Sequence, residues 1–491
     1  MRLFRVAMPI ALSVAAGPLA AQGSAPLERI ARAMGGTDKV LAVRTLILEG
    51  RGENLSFGQN HTPDAETKYE VTSFRREMDL VNRRWLLDQT REPRFITANT
   101  APQRQRTGLD GDVAYNIAAS GNVGRVGGQT AVDRANELMH HPIGFLQASF
   151  APGSEVTEDE PRGNLRWIRV NVSGNKFALL VDQATDLPVR TQKITYHPMI
   201  GDVLLETEFS DWRDVSGVKL PMRMTQRLAN RWTLSDYRVT NARVNESVGS
   251  LTTSDSIRAL APPAVPPVPT VVVDEIVPGV WSIAGQSHHT IAIEQSSRIL
   301  LVEAPQSDAR TLAAIAKARE LRPGKPLDVL INTHHHFDHA GGLRAAISQG
   351  LTILTHRANK DFYEKVVYPR RHFIQQDALA LNPQPLKLIT VADKHVISDH
   401  LRTVEVYHVT GNPHAGTMLV VYLPAEKILI QADMYNPPAP NAVNPVNPVF
   451  PFAANLVENL QRRGLQVERV VGIHGRPVAF SQLQAAASRA P

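Results

Sequence analysis

The sequence predicts an α/β protein in two parts, a β-rich first half and a layered second half in which strands alternate with helices. Three observations carry this. Before about residue 256, strand-like runs follow one another with turn signals between them. A proline run, APPAVPPVP at 261–269, then interrupts the chain. Beyond it, short apolar strands alternate with helical stretches, and one of those strands runs directly into a dense histidine motif.

Taken in order, residues 1–21 read as a secretory signal. MRLFR supplies positive charge, 6–16 is apolar and rich in small residues, and PLAA at 18–21 offers a cleavage site before Gln22. The apolar run is too short for a membrane span, and no later stretch is long and apolar enough for one, so no stable membrane span is expected. The expected location is periplasmic or secreted, through a bacterial Sec-type signal.

Residues 25–256 are expected to form a β-rich domain, either an antiparallel sheet or an open barrel. A short helix at 26–34 precedes strands at 45–50 (ending at Gly50), 167–172, 177–181, 203–212, 222–225 and 232–244, with a turn at 214–217. Its rhythm resembles the curved sheets of periplasmic lipoprotein-carrier domains. Residues 257–270 read as a semi-rigid linker, because so dense a proline run continues neither a helix nor a central strand. From 271 to 487, paired strands at 291–294 and 298–303 lead to a helix at 309–321 and a buried strand at 329–331. A helix at 343–348 and apolar strands at 403–409, 418–423, 428–432 and 470–473 follow.

Composition narrows the chemistry. Hydrophobic residues make up 43% and charged residues 20% of 491, an ordinary globular balance with chain enough for two or three domains. The formal net charge is +6, yet Lys and Arg are scattered rather than clustered, so no nucleic-acid partner is expected. There is no cysteine. Disulfides and thiolate chemistry are excluded, and any metal must be held by nitrogen and oxygen.

Residues 332–342 read NTHHHFDHAGG. In extended chain, side chains at i and i+2 point the same way. His334 and His336 can therefore reach one ion together, with His335 directed away. Asp338 and His339 follow Phe337 and swing to a neighbouring position if the chain turns there. The motif follows a buried strand, where α/β sheets commonly bind. Further ligands are expected at other strand ends, and His414, Asp433 and His474 each close a short apolar run. A lone histidine in such a place is ordinarily hydrogen-bonded structure; three such residues alongside H-x-H-x-D-H point to a metal site.

These elements, His334-x-His336-x-Asp338-His339, His414 in a G-x-x-H turn, Asp433, and His474 in I-H-G, make residues 271–487 resemble the metallo-β-lactamase fold superfamily. The resemblance implies a four-layer αβ/βα sandwich with the site at the sheet edges. It implies that His334, His336 and His414 hold one metal, that Asp338, His339 and His474 hold another, and that Asp433 bridges them. Such ligands suit two zinc ions, with iron or manganese as alternatives. Two metals about 3.5–4 Å apart lower the pKa of a shared water and present hydroxide near neutral pH. Asp338 is then the catalytic carboxylate that orients the hydroxide or takes up a proton.

His288, His289 and Tyr435 are candidates to line the substrate cleft, and the proline-rich stretch 436–451 is a candidate cleft wall. His140, His141, His356, His372 and His408 read as structural or surface residues. The expected function is a binuclear metal-dependent hydrolase acting on a small molecule: an ester, lactone, thioester, β-lactam, or phosphate or sulfate ester. A bridging carboxylate is more similar to the thioesterase, lactonase, phosphodiesterase and sulfatase branches than to the β-lactamase branches, where Cys or Ser stands. Only a short tail follows His474, unlike glyoxalase II. The alternatives are a mononuclear iron oxidoreductase of the same fold, similar to a sulfur dioxygenase, and a ligand-binding module with a structural metal. The substrate and the oligomeric state are left open by the sequence.

Overall fold

The structure is a computed structural model that describes residues 25–97, 100–261, 270–285, 287–369, 373–438 and 451–488. The expected signal, most of the proline linker, His372 and most of the 436–451 stretch lie outside the described residues.

Thirteen described strands between Thr45 and Val244 form one sheet, paired antiparallel throughout. Its end strands, Val123–Arg125 and Glu155–Arg162, do not pair with each other, so it is an open sheet rather than a closed barrel. Helices Ala25–Ala33 and Pro142–Phe150 share a core with it, where Leu27, Ile30, Phe145 and Leu146 meet Leu46, Leu48, Phe74 and Leu109. Five strands between Lys68 and Arg125, and the helices Gly128–Asn136 and Pro142–Phe150, are additions to the sequence expectation.

One correction bears on the site. The first strand does not end at Gly50 but runs from Thr45 to Leu55, with register shifts around Gly50. A side chain at Gly50 would strike the Arg238 carbonyl on the neighbouring strand, so the glycine permits close strand approach instead of ending the strand. The extension delivers the following loop, 56–67, to the second half of the molecule.

The C-terminal half is a four-layer sandwich. A seven-stranded sheet ends in four parallel-linked strands, Ile299–Val302, Leu327–Ile331, Thr352–His356 and Lys387–Val391, and faces a six-stranded sheet. Strand alternation builds the layers. Within Ile299–Val302, Leu300 and Val302 enter the core between the sheets, while Ile299 and Leu301 pack under the outer helices Asp308–Leu321 and Leu343–Ser348. Every residue of this strand is buried, which is why it reads as a continuous apolar run. On the other sheet, Leu419, Val421 and Leu423 point inward, and Val420 and Tyr422 meet the helices Phe452–Arg462 and Phe480–Ala487. The Ser307 hydroxyl caps Asp308–Leu321 by accepting from the Arg310 amide at 3.4 Å. No described helix is long and apolar enough to cross a membrane.

The two halves share an apolar interface. Leu55, Met199, Ile200, Leu228 and Trp232 join the core under the outer helices of the second half. Phe57 lies edge-on to Phe337 with centroids 4.7 Å apart, and His197 lies 4.6 Å from the same ring.

Candidate metal centre

The histidine motif begins where Leu327–Ile331 leaves the sheet and ends in a helical turn, Phe337–Ala340. The stretch before the turn is extended, and the i, i+2 rule holds. The His334 and His336 rings lie 4.4 Å apart. His335 turns away, and its Nδ1 lies 2.8 Å from Thr417 Oγ1. His335 stands in neither of the two clusters described below.

The other residues arrive from loops at strand ends. His414 sits in a turn whose shape is set by Asn412: its Oδ1 accepts from the His414 amide at 2.9 Å and the Ala415 amide at 3.0 Å. Asp433 follows Ile428–Gln431 with φ of 61°, a left-handed conformation uncommon for a non-glycine residue. His474 follows Arg469–Gly472.

These side chains form two clusters. One holds His334, His336, His414 and Asp433, the other His288, Asp338, His339 and His474, and in each a ligand atom from every residue lies within 4.8 Å of the rest. Asp433 reaches both. Its Oδ2 is 3.3 Å from His334 Nε2, 3.0 Å from His414 Nε2 and 2.9 Å from His339 Nε2, while its Oδ1 is 2.8 Å from His474 Nε2.

Hydrogen bonds on the far sides of the rings show what the near sides are prepared for. His336 Nε2 donates to the Asn60 carbonyl at 2.9 Å, leaving Nδ1 buried without a partner. His474 Nδ1 donates to the Ser287 carbonyl at 2.9 Å, so a neutral ring turns a lone pair on Asp433. His339 Nδ1 meets Glu303 Oε2 at 2.6 Å. His334 Nδ1 is 2.9 Å from Thr333 Oγ1, and its buried Nε2 makes no well-formed hydrogen bond. Lone pairs converging on carboxylates repel unless a cation stands among them. The donor set therefore fits divalent metal ions, with the outer hydrogen bonds that orient metal-binding histidines.

The electrostatics agree. Burial holds His334 down to about 4, and burial with the neighbouring His334 holds His336 well below the ordinary imidazole value. Burial opposes ionisation of Asp433, but His339 and the surrounding rings hold its carboxyl well below the usual carboxylate range. For Asp338 too, burial is outweighed by His288 and His339. His339 is the exception: burial pushes it down, but Asp433 and Glu303 hold it well above the ordinary value. Neutral imidazoles beside ionised carboxylates are the states that bind metal.

Two cleft candidates need correction. His288 and His289 lie on one strand, His288–Glu294, so their side chains point to opposite faces. His288 reaches the centre, with Nε2 3.3 Å from Asp338 Oδ2. His289 lies on the other face, its Nδ1 3.3 Å from Ser282 Oγ. Tyr435 is not in the cleft wall either; it is 4% exposed and packs in the core beneath the helix Phe452–Arg462. The chain turns at Asp433, which sends Tyr435 inward.

Sequence reasoning missed Glu303 and the whole contribution of the first half. Glu303 ends an apolar strand, the same signal that singled out Asp433. The loop at 56–67 carries no such signal. It inserts beside the motif: the Phe337 amide donates to the Gly58 carbonyl at 3.1 Å, and the Gly416 amide to the His61 carbonyl at 2.7 Å. The resulting cleft, about 320 Å³, is lined by His61, Tyr69 and Phe95 from the first half and by Asp338, Asp433 and Phe452 from the second.

A family model described as the metallo-beta-lactamase superfamily matches residues 287–469. Among solved structures, the chain is similar to a metallo-beta-lactamase from Pontibacter korlensis, with 21% identity over 45% of this chain and 98% of that one, at a TM-score of 0.35. It is also similar to a metallo beta lactamase from Hirschia baltica, with 19% identity over 44% of this chain and 96% of that one, at a TM-score of 0.33. A third is the rubredoxin oxygen:oxidoreductase from Desulfovibrio gigas, with 20% identity over 44% of this chain and 60% of that one, at a TM-score of 0.35. No curated protein sequence matches the chain at a significant level.

Proposed function

The C-terminal half of this chain carries the metallo-β-lactamase fold, and from that premise we propose that the protein is an exported binuclear metal-dependent hydrolase of acyl compounds. The observation that supports it best is Asp433, which turns one oxygen to His334, His414 and His339 and the other to His474. His334, His336 and His414 would hold one ion, Asp338, His339 and His474 the other, with Asp433 between them and His288 beside the second. Zinc suits this nitrogen and oxygen set. Two such ions, when bound, supply Lewis acidity and a water acidic enough to attack near neutral pH.

The chain's own groups account for the rest. Asp338 has 36% of its side chain exposed, whereas Asp433 has 11%, so Asp338 is the carboxylate that exchanges protons with the cleft. It serves as the general base and then passes a proton to the leaving group. Tyr69, Phe95 and Phe452 offer an aromatic wall to an apolar acyl part. Among the described residues lining this cleft there is no Lys or Arg. That favours uncharged lactones, esters, thioesters or β-lactams over phosphate and sulfate esters. Residues 1–21 support export, and the change near the proline run supports domains at 25–256 and 271–487.

The test is metal analysis of the mature protein with a hydrolysis screen. About two zinc ions per chain, chelator-sensitive lactone, ester, thioester or β-lactam hydrolysis, and an N-terminus at Gln22 in the periplasmic fraction are expected. A single iron per chain with oxygen consumption would overturn the hydrolase, and turnover confined to phosphate or sulfate esters would overturn the acyl substrate.

A further inference from the structure

The first half places one donor side chain directly on a residue of the second metal cluster. Gln59 Nε2 donates to Asp338 Oδ1 at 2.8 Å. The other oxygen, Oδ2, is 3.3 Å from His288 Nε2 and 3.7 Å from His339 Nε2, and so belongs to the metal cluster. A carboxylate turns about its last bond over a broad, roughly two-fold profile. Asp338 is the most exposed member of its cluster, so packing does little to choose between its oxygens. Gln59 holds the oxygen that faces away from the cluster, and His288 stands at the other.

The backbone at Gln59 is tied on both sides. Its amide donates to the Ser56 carbonyl at 3.1 Å. The carbonyls around it accept from the second half: Gly58 from the Phe337 amide, Asn60 from His336 Nε2, and His61 from the Gly416 amide. His61 Nε2 returns a bond to the Asn412 carbonyl at 3.0 Å. Asn60 is 3% exposed. The loop thus touches both metal-binding turns, the one with His336 and Asp338 and the one with His414.

We propose that Gln59 is a positioning residue that turns Asp338 Oδ2 toward the second metal, so that the N-terminal half completes the active site. This rests on the binuclear hydrolase reading. Gln59 touches neither the ions nor the reacting atoms; it acts through Asp338.

The experiment compares the full-length mature protein with Gln59→Ala and Gln59→Glu. Zinc affinity at each site is read by competition with a chromophoric chelator, the second site also by the visible spectrum of the cobalt-loaded protein. In Gln59→Ala, the second-site affinity is expected to fall on the order of 10–100-fold, the effect of losing an outer hydrogen bond to a ligand. The first-site affinity and the thermal midpoint should stay at wild-type values, and kcat should fall with KM nearly unchanged. Gln59→Glu keeps the size but sets a carboxylate against Asp338, and it should be worse than Ala. Equal affinities in wild type and Gln59→Ala, or a parallel loss at both sites together with the thermal midpoint, would overturn the positioning role while leaving the binuclear reading intact. A wild-type protein that takes up fewer than two ions would overturn that reading and this inference with it.

Discussion

Nδ1 of His339 lies 2.6 Å from Oε2 of Glu303, and neither side chain reaches solvent. The second oxygen of Glu303 accepts from the Thr333 amide at 2.7 Å, at the start of the histidine motif. Glu303 therefore holds the backbone of the motif and the ring of one of its histidines together. Its φ of 80° is a costly backbone conformation for glutamate, retained where the carboxylate has this double task.

Glu303→Gln should expose that task. An amide has one oxygen, so it can satisfy the Thr333 amide or His339 Nδ1 but not both. Second-site metal affinity is expected to fall by about 10–100-fold, as for other outer partners of metal-binding histidines. Chelator competition measures this, and an unchanged affinity would show that Glu303 is only packing.

The alternation of His288 and His289 separates two substitutions on adjacent residues. His288→Ala should weaken the second metal site and lower kcat, because its Nε2 stands 3.3 Å from Asp338. His289→Ala should leave metal content and kcat unchanged and cost only about 1 kcal/mol of stability, for a half-buried ring that loses its contact with Ser282 Oγ. Metal stoichiometry and steady-state rates of the pair decide it; equal losses in both would contradict the placement of the strand.

Gly58 tests the docking of the N-terminal loop. Its φ is 82°, and a Cβ there would lie 2.6 Å from the Phe337 ring. Gly58→Ala meets a conformational cost of about 1–2 kcal/mol, with the steric contact in addition. The expected result is a lower thermal midpoint together with weaker metal binding, since Asn60, which orients His336, lies two residues on. A variant with a lowered midpoint and intact metal affinity would separate the loop from the site.

Acid should weaken the first half independently of the metals. Burial pulls His140 down to about 4 and His141 to about 3, with nearby Arg76 adding to both and Glu137 opposing it at His140. In the unfolded chain both take up protons near pH 6.5. The unfolded state then binds more protons, so their contribution is fully present above about 6.5. It is lost as pH falls toward 4, by up to about 1.4 kcal/mol per unit for each group. Thermal midpoints from pH 7 to 4.5 measure the slope. His141→Asn, which keeps an acceptor for the Ile143 amide but takes up no proton, should show a shallower decline; identical slopes would rule His141 out.

Much of the centre was legible because its chemistry is local. Residues one or two apart on extended chain have fixed relative directions, so the sequence alone separated His334 and His336 from His335. Strand ends are visible as the last residue of an apolar run, which brought in His414, Asp433 and His474 from distant positions. The same rule, applied to the strand at 299–302, reaches Glu303. The layered α/β character followed from the alternation of short apolar strands with helices, and the four layers from the resemblance that the histidine motif carries.

What only the tertiary structure decided lies where direction depends on contacts far apart in sequence. Whether His288 or His289 faces the candidate metal centre depends on the register of one strand against its neighbours, because a shift by one residue exchanges the faces. Tyr435 reads as a cleft residue from its closeness to Asp433, yet the turn after that aspartate buries it. Gln59 lies 279 residues from Asp338 in the chain and carries no motif. A neutral amide on a loop reaches the candidate metal centre only because an apolar interface, with Phe57 and Trp232 against Phe337 and Phe362, brings the two halves together. The sequence determined which side chains could gather at the candidate metal centre; the docking of the two halves decided how they are held.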